Sequence, residues 1–250
     1  MATLSKEEII RYWLLTSAIE FPRGLSYFFP QIDGLALNMP DPTGCKPEDY
    51  ADALLSLYDR GLIEFSSKFS GDDVTAPTGI LNILDRFLTF SKQNPTALLN
   101  RRVRRESASG SDILRLDLVA RFKLTSSGGQ AWERIANPDW QRFYTQLSDY
   151  ETAELTSADL NTLMMVLGWF RELSGEQPVS ESIRISTLAD HPILYWKKLP
   201  RVFRAEFAVT AAEGKWSITN GECPRWFRDW WLSHHKWFTE PWELPDWPSK

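Results

Sequence analysis

Two junctions, one at Gly61 and one at Thr125, restrict the fold of this chain more than any other feature. Residues 51–65 read ADALLSLYDRGLIEF, a helix that stops at a glycine and passes straight into a short apolar strand. Residues 120–132 read ARFKLTSSGGQAW, a strand that ends in a Thr-Ser-Ser turn and opens another helix. Upstream, Pro47 with Glu48 and Asp49 near the positive end of the dipole marks where the first of these helices begins. Its apolar side is expected to be Ala51, Leu54, Leu55 and Tyr58. Asp49, Asp52, Ser56 and Asp59, three and four apart, are expected along the opposite side.

The remaining elements follow from spacing and punctuation. Ser5 and Glu8 have the separation of a capping box, and Ile9, Ile10, Trp13 and Leu14 extend a helix over 6–18. Residues 25–42 carry Tyr27, Phe28 and Phe29 and then four Pro or Gly breaks, which suits a short helix and a loop. A strand at 62–65 and another at 114–124 are separated by a long connection. It holds a helical pattern at Ile80, Leu81, Leu84, Phe87 and Leu88 and the run NRRVRRE at 100–106. Helical patterning returns at 127–135 and again at 140–147. Beyond a boundary placed near 151–155, a capped helix is expected from Ser157 through Phe170 and a strand over 182–187. Residues 195–198 are read as the end of a short helix. Residues 201–210 alternate as a strand, with 215–219 as its partner, and a last helix covers 224–238.

The order helix–Gly61–strand, then strand–Thr125–helix, resembles the recognition helix, wing strands and closing helix of a winged-helix domain. The resemblance spans 5–136, about half the chain. It implies an α+β protein: a winged-helix-like N-terminal domain with an enlarged wing over 1–150, then a small Trp-rich α/β domain over 151–250. Three departures stand out: no clear second helix, an acidic outer face on the recognition helix, and an oversized wing. The fold class serves DNA reading and protein docking alike.

Charge weighs between those two uses. The net charge is −5, and residues 1–140 hold 16 basic against 18 acidic residues, leaving 12 against 15 for the rest. Neither part is a basic domain. A helix lined with aspartates would be repelled by phosphates, since DNA affinity rests largely on Lys and Arg. Asp49, Asp52 and Asp59 are therefore candidate contacts for another protein, a basic one in particular. Arg101, Arg102, Arg104 and Arg105 are the alternative contact, for an anion or nucleic acid, or else a solvated loop. Trp237, Trp242 and Trp247 are candidate interface aromatics, or core, within a C-terminus that holds seven of the twelve tryptophans.

Motifs for chemistry are missing from the sequence. His191, His234 and His235 stand in no metal-ligand spacing, Cys45 and Cys223 in no CxxC, and Gly128-Gly129 in no phosphate-loop pattern. Ser233 and Cys223 have no nucleophile elbow around them. The longest apolar run, 163–170, falls far short of the roughly 20 residues that cross a bilayer. The expectation is a non-catalytic, cytoplasmic bacterial protein without cofactor or metal, acting by protein–protein contact as an inhibitor, immunity-type antidote or adaptor. A DNA-binding regulator and an unrecognised hydrolase are the alternatives.

Overall fold

The computed structural model describes residues 4–25, 45–66, 82, 84, 85, 89, 121–149, 151–211 and 236–244. It is an α+β protein with antiparallel sheets. Contacts divide it into two compact units, residues 1–136 with 240–250, and residues 137–239. The boundary expected near 151 lies instead in a hairpin inside the second unit.

Unit one begins with α1 (Lys6–Ser17). The capping box forms as expected: the Ser5 hydroxyl accepts from the Glu8 amide at 3.3 Å, and the Ser5 amide donates to the Glu8 carboxylate at 2.8 Å. Ile9, Ile10, Tyr12, Trp13, Leu14 and Leu15 are all buried, so α1 is covered on several sides and acts as the core of the unit. After α1 come β1 (Arg23–Gly24), α2 (Pro47–Asp59), β2 (Ile63–Ser66), β3 (Arg121–Leu124) and α3 (Ser126–Ala136). The sheet order is β1-β3-β2, all antiparallel, with Phe65 opposite Phe122 and Arg23 also opposite Phe122. Ile63, Phe65, Phe122 and Leu124 point into the core, whereas Glu64 and Lys123 pair on the outer side at 2.7 Å. Described residues of the 67–120 connection are helical at 82, 84, 85 and 89, and Leu84 is buried.

Unit two is a sheet with helices on one face. Its strands are β4 (Tyr144–Ser148), β5 (Thr152–Ser157), β6 (Glu176–Pro178), β7 (Arg184–Leu194) and β8 (Lys197–Ala211). They run β4-β5-β8, with β6 and β7 along the far side of β8. The helices α4 (Leu160–Gly168) and α5 (Phe170–Ser174) lie over Ala153, Leu155, Ala205, Phe207 and Val209, and Leu163, Val166 and Phe170 fill the layer between. Phe170 meets Phe207 edge to face at 4.9 Å. The cap of α4 is Asp159, whose carboxylate accepts from the Thr162 amide; Ser157, expected there, is buried in β5 and donates to the Phe143 carbonyl.

Two helical expectations in this unit are overturned. Trp140, Phe143, Tyr144 and Leu147 have helical spacing, but 144–148 is a strand in which Leu147 is 67% exposed. Pairing with β5 outweighs the pattern, and Trp140 and Phe143 are held by aromatic partners: Trp196 at 5.9 Å and Trp237 at 4.3 Å respectively. Residues 195–196 are the turn of the long β7–β8 hairpin and not a helix end. The alternation expected over 201–210 holds from 203 onward: Phe203, Ala205, Phe207 and Val209 face the helices, whereas Arg204 and Glu206 face away. Of the expected last helix, residues 236–238 are not helical, and 224–235 lie outside the described residues, as does the strand expected at 215–219.

Candidate protein interface

The outer side of α2 is positioned by a set of backbone contacts around Gly61. The helix ends where Gly61 takes a φ of +64°, a conformation that side chains disfavour. The chain then doubles back, with the Leu62 amide bonded to the Leu57 carbonyl at 2.9 Å. Thr125 fastens this turn from the other junction: its hydroxyl donates to the Gly61 carbonyl at 2.7 Å and its amide to the Leu62 carbonyl at 3.1 Å. The same hydroxyl accepts from the Gly128 amide at 3.0 Å, which caps α3. Gly128 sits so close to the turn that a Cβ there would lie 1.8 Å from the Leu62 carbonyl oxygen. Gly128 thus seats the start of α3 on this turn by close backbone packing. Fully buried Trp132 completes the anchor, its indole N–H donating to the Thr16 hydroxyl of α1 at 3.2 Å.

With the turn fixed, the orientation of α2 is settled by what it buries. Tyr50, Ala51, Ala53, Leu54 and Leu57 are buried, while Leu55 and Tyr58 are only half-buried. The inward face is therefore rotated from the expected one, because Trp13 of α1 takes Tyr50 as its ring partner at 5.5 Å. Ser56 turns toward α1 and accepts from Arg11 at 2.7 Å. Asp49 is likewise drawn into the structure. Its carboxylate accepts from the Lys46 amide at 2.7 Å and from the Lys6 ammonium at 2.9 Å, which holds its pKa below the ordinary carboxylate value. Asp49 is a cap and clasp, whereas Asp52 and Asp59 are exposed. Glu48, Asp52, Leu55 and Asp59 form the outward stripe, at intervals of four, three and four.

Arg101, Arg102, Arg104, Arg105 and Trp247 lie outside the described residues. Trp242 belongs to the 3-10 turn Pro241–Glu243 of unit one. Trp237 is part of an internal aromatic group in unit two, against Trp140 at 5.3 Å and Phe143 at 4.3 Å, and its carbonyl accepts from the Asp139 amide.

The sheet face of unit two that points away from the helices carries a second surface, which the sequence did not single out. There Arg204 reaches Glu154 at 3.7 Å and Glu206 at 3.4 Å, and Arg184 stands opposite Glu206 in register. A shallow groove of about 490 Å³ lies over this face, lined by Leu147, Ser148, Thr152, Glu154, Arg184 and Glu206. Alternation over 152–155 of β5 and from 203 onward in β8 was the signal for it, but pairing of the strands was needed to bring the charges together.

Among the described residues no group of His, Cys, Asp or Glu is arranged to hold a metal ion, and no helix is long and apolar enough to cross a membrane. Cys45 is buried. No protein-family model, curated protein or solved structure matches this chain.

Proposed function

We propose that the protein is a non-catalytic binding protein with a winged-helix-like first unit, acting by protein–protein contact as an inhibitor, immunity-type antidote or adaptor. The strand order β1-β3-β2, with α2 before the β2–β3 pair and α3 after it, supports the winged-helix reading. The observation that carries the functional reading is the outward stripe of α2. Asp52 and Asp59 occupy the position from which such a helix would meet its target, and Leu55 sits between them as a partly covered apolar centre. A polyanion is repelled by that stripe, and a basic polypeptide with an apolar contact is attracted.

The test is a comparison of wild type with the Asp52→Lys, Asp59→Lys double variant. Used as bait, wild type retains a protein partner, and the double variant loses it by about tenfold or more in affinity, ~1.4 kcal/mol. Both carboxylates are exposed, so the double variant keeps the wild-type melting midpoint, within about 0.5 kcal/mol. Retardation of a DNA duplex by wild type, lost steeply as salt rises, would instead favour the regulator reading through the arginine run.

A further inference from the structure

The outward stripe of α2 has a spacing as well as a sign. Asp52 and Asp59 are seven residues apart, which separates them by about 10.5 Å along the helix axis and by only about 20° around it. Leu55 lies between them on the same side, half-buried. Arg60, the C-cap, is turned about 100° from Asp59 and stands off the stripe.

Asp59 adds a second observation. It is exposed and closes the last turn of α2, a turn without a basic residue. A carboxylate there shares the negative end of the helix dipole and weakens the helix that carries it. A cation brought to that end from outside relieves both charges at once.

We propose, building on α2 as the contact surface, that its partner presents an amphipathic helix laid antiparallel along the stripe. That helix carries Lys or Arg at positions i and i+7 and an apolar residue at i+4. Position i meets Asp59, i+4 meets Leu55 and i+7 meets Asp52, because the intervals from Asp59 back to Leu55 and Asp52 are four and three. A second helix repeats the separation of about 10.5 Å on one face, so both cations reach their carboxylates without stretching. An extended strand does not. Residues on one face of a strand are about 6.7 Å apart at i, i+2 and about 13.4 Å at i, i+4, and the i, i+3 pair points to opposite faces.

Direction follows from the dipoles. Antiparallel packing sets the partner's positive N-terminal end beside Asp59 and the negative end of α2. A crossing of about 20° keeps the two helices in touch over both turns, whereas one of about 50° parts them sooner. Exposed charge pairs contribute modestly and are screened by salt, so Leu55 and the residue facing it supply the desolvated centre.

Fluorescence anisotropy of labelled synthetic peptides against the full chain at low salt tests the register. The probe is a lactam-stapled helical peptide with Lys at i and i+7 and Leu at i+4. One control is a helical isomer of the same composition with the second Lys at i+5, on another face. The other is a hairpin-held strand reading Lys-x-Leu-x-Lys. The i, i+7 peptide is expected to bind about fivefold tighter than either control, and Asp52→Lys or Asp59→Lys should each remove that difference. With glutamates in place of both lysines, the peptide should bind the Asp52→Lys, Asp59→Lys double variant and not wild type. Equal binding of the two helical peptides, or tighter binding of the strand, overturns the helical register; if the double variant abolishes that binding, α2 stands as the contact surface. Peptide binding that the double variant leaves unchanged overturns both. Absence of binding up to about 1 mM, while the double variant still costs the bait its protein partner, overturns the helical partner alone.

Discussion

The two units solve the same problem, holding an antiparallel sheet against helices, by opposite distributions of contact. Among the described residues of unit one the strands span two to four residues, and the Thr125 hydroxyl, the Leu62 carbonyl and the bare face of Gly128 tie the sheet to its helices. In unit two, β8 alone runs 15 residues and is flanked on both sides by partners, under a layer of apolar side chains from α4 and α5. Such pins hold a strand junction at named atoms, whereas a long ladder sets its own register. Damage should therefore be concentrated at named atoms in unit one and spread widely in unit two.

The largest effect is expected from Gly128→Ala. A methyl placed 1.8 Å from a backbone oxygen forces α3 away from the Gly61 turn, with a loss of about 3 kcal/mol or more. Hydrogen exchange should report it as faster exchange in α1, α2 and α3, with β5 and β8 unchanged. An intermediate effect, about 1–2 kcal/mol, is expected from Phe170→Leu, which shrinks one ring in a densely shared layer; exchange should quicken modestly along β5 and β8. If the glycine variant proves the milder of the two, the contrast between pinned and distributed units fails.

The smallest effect belongs to Asp49→Asn and depends on pH. The folded-state pKa of Asp49 is lowered, chiefly by the Lys46 amide and then by Lys6, so its contribution is present above the unfolded carboxylate value and fades as pH falls through the lowered one. Thermal melts of wild type and variant should differ near pH 7 and converge in acid, below about pH 4. A difference that grows in acid contradicts the clasp.

Elements whose signals are local were legible in the sequence. The Ser5–Glu8 box, the stop at Gly61 and the Thr125 cap all operate within a turn of the residues that announce them. Readings failed where a distant partner decides. The Trp140–Leu147 spacing is helical on paper, yet β5, Trp196 and Trp237 determine what that stretch becomes. The inward face of α2 was misread by about one position because Tyr50 answers to Trp13 of another helix. The candidate interface was half legible for the same reason. Periodicity places four polar residues on one side of α2, but only the positions of Lys6 and Arg11 separate engaged Asp49 and Ser56 from outward Asp52 and Asp59.

The tight seating of Gly128 on the Leu62 carbonyl also bears on ancestry. A site that excludes even a methyl group leaves evolution a single residue to choose, whatever drift overtakes the rest of the chain. Kin of this protein should then be traceable by a sparse signature, a glycine–leucine pair and, after a stretch of any length, a threonine followed three places on by glycine. Overall similarity could fade entirely while those few letters persist.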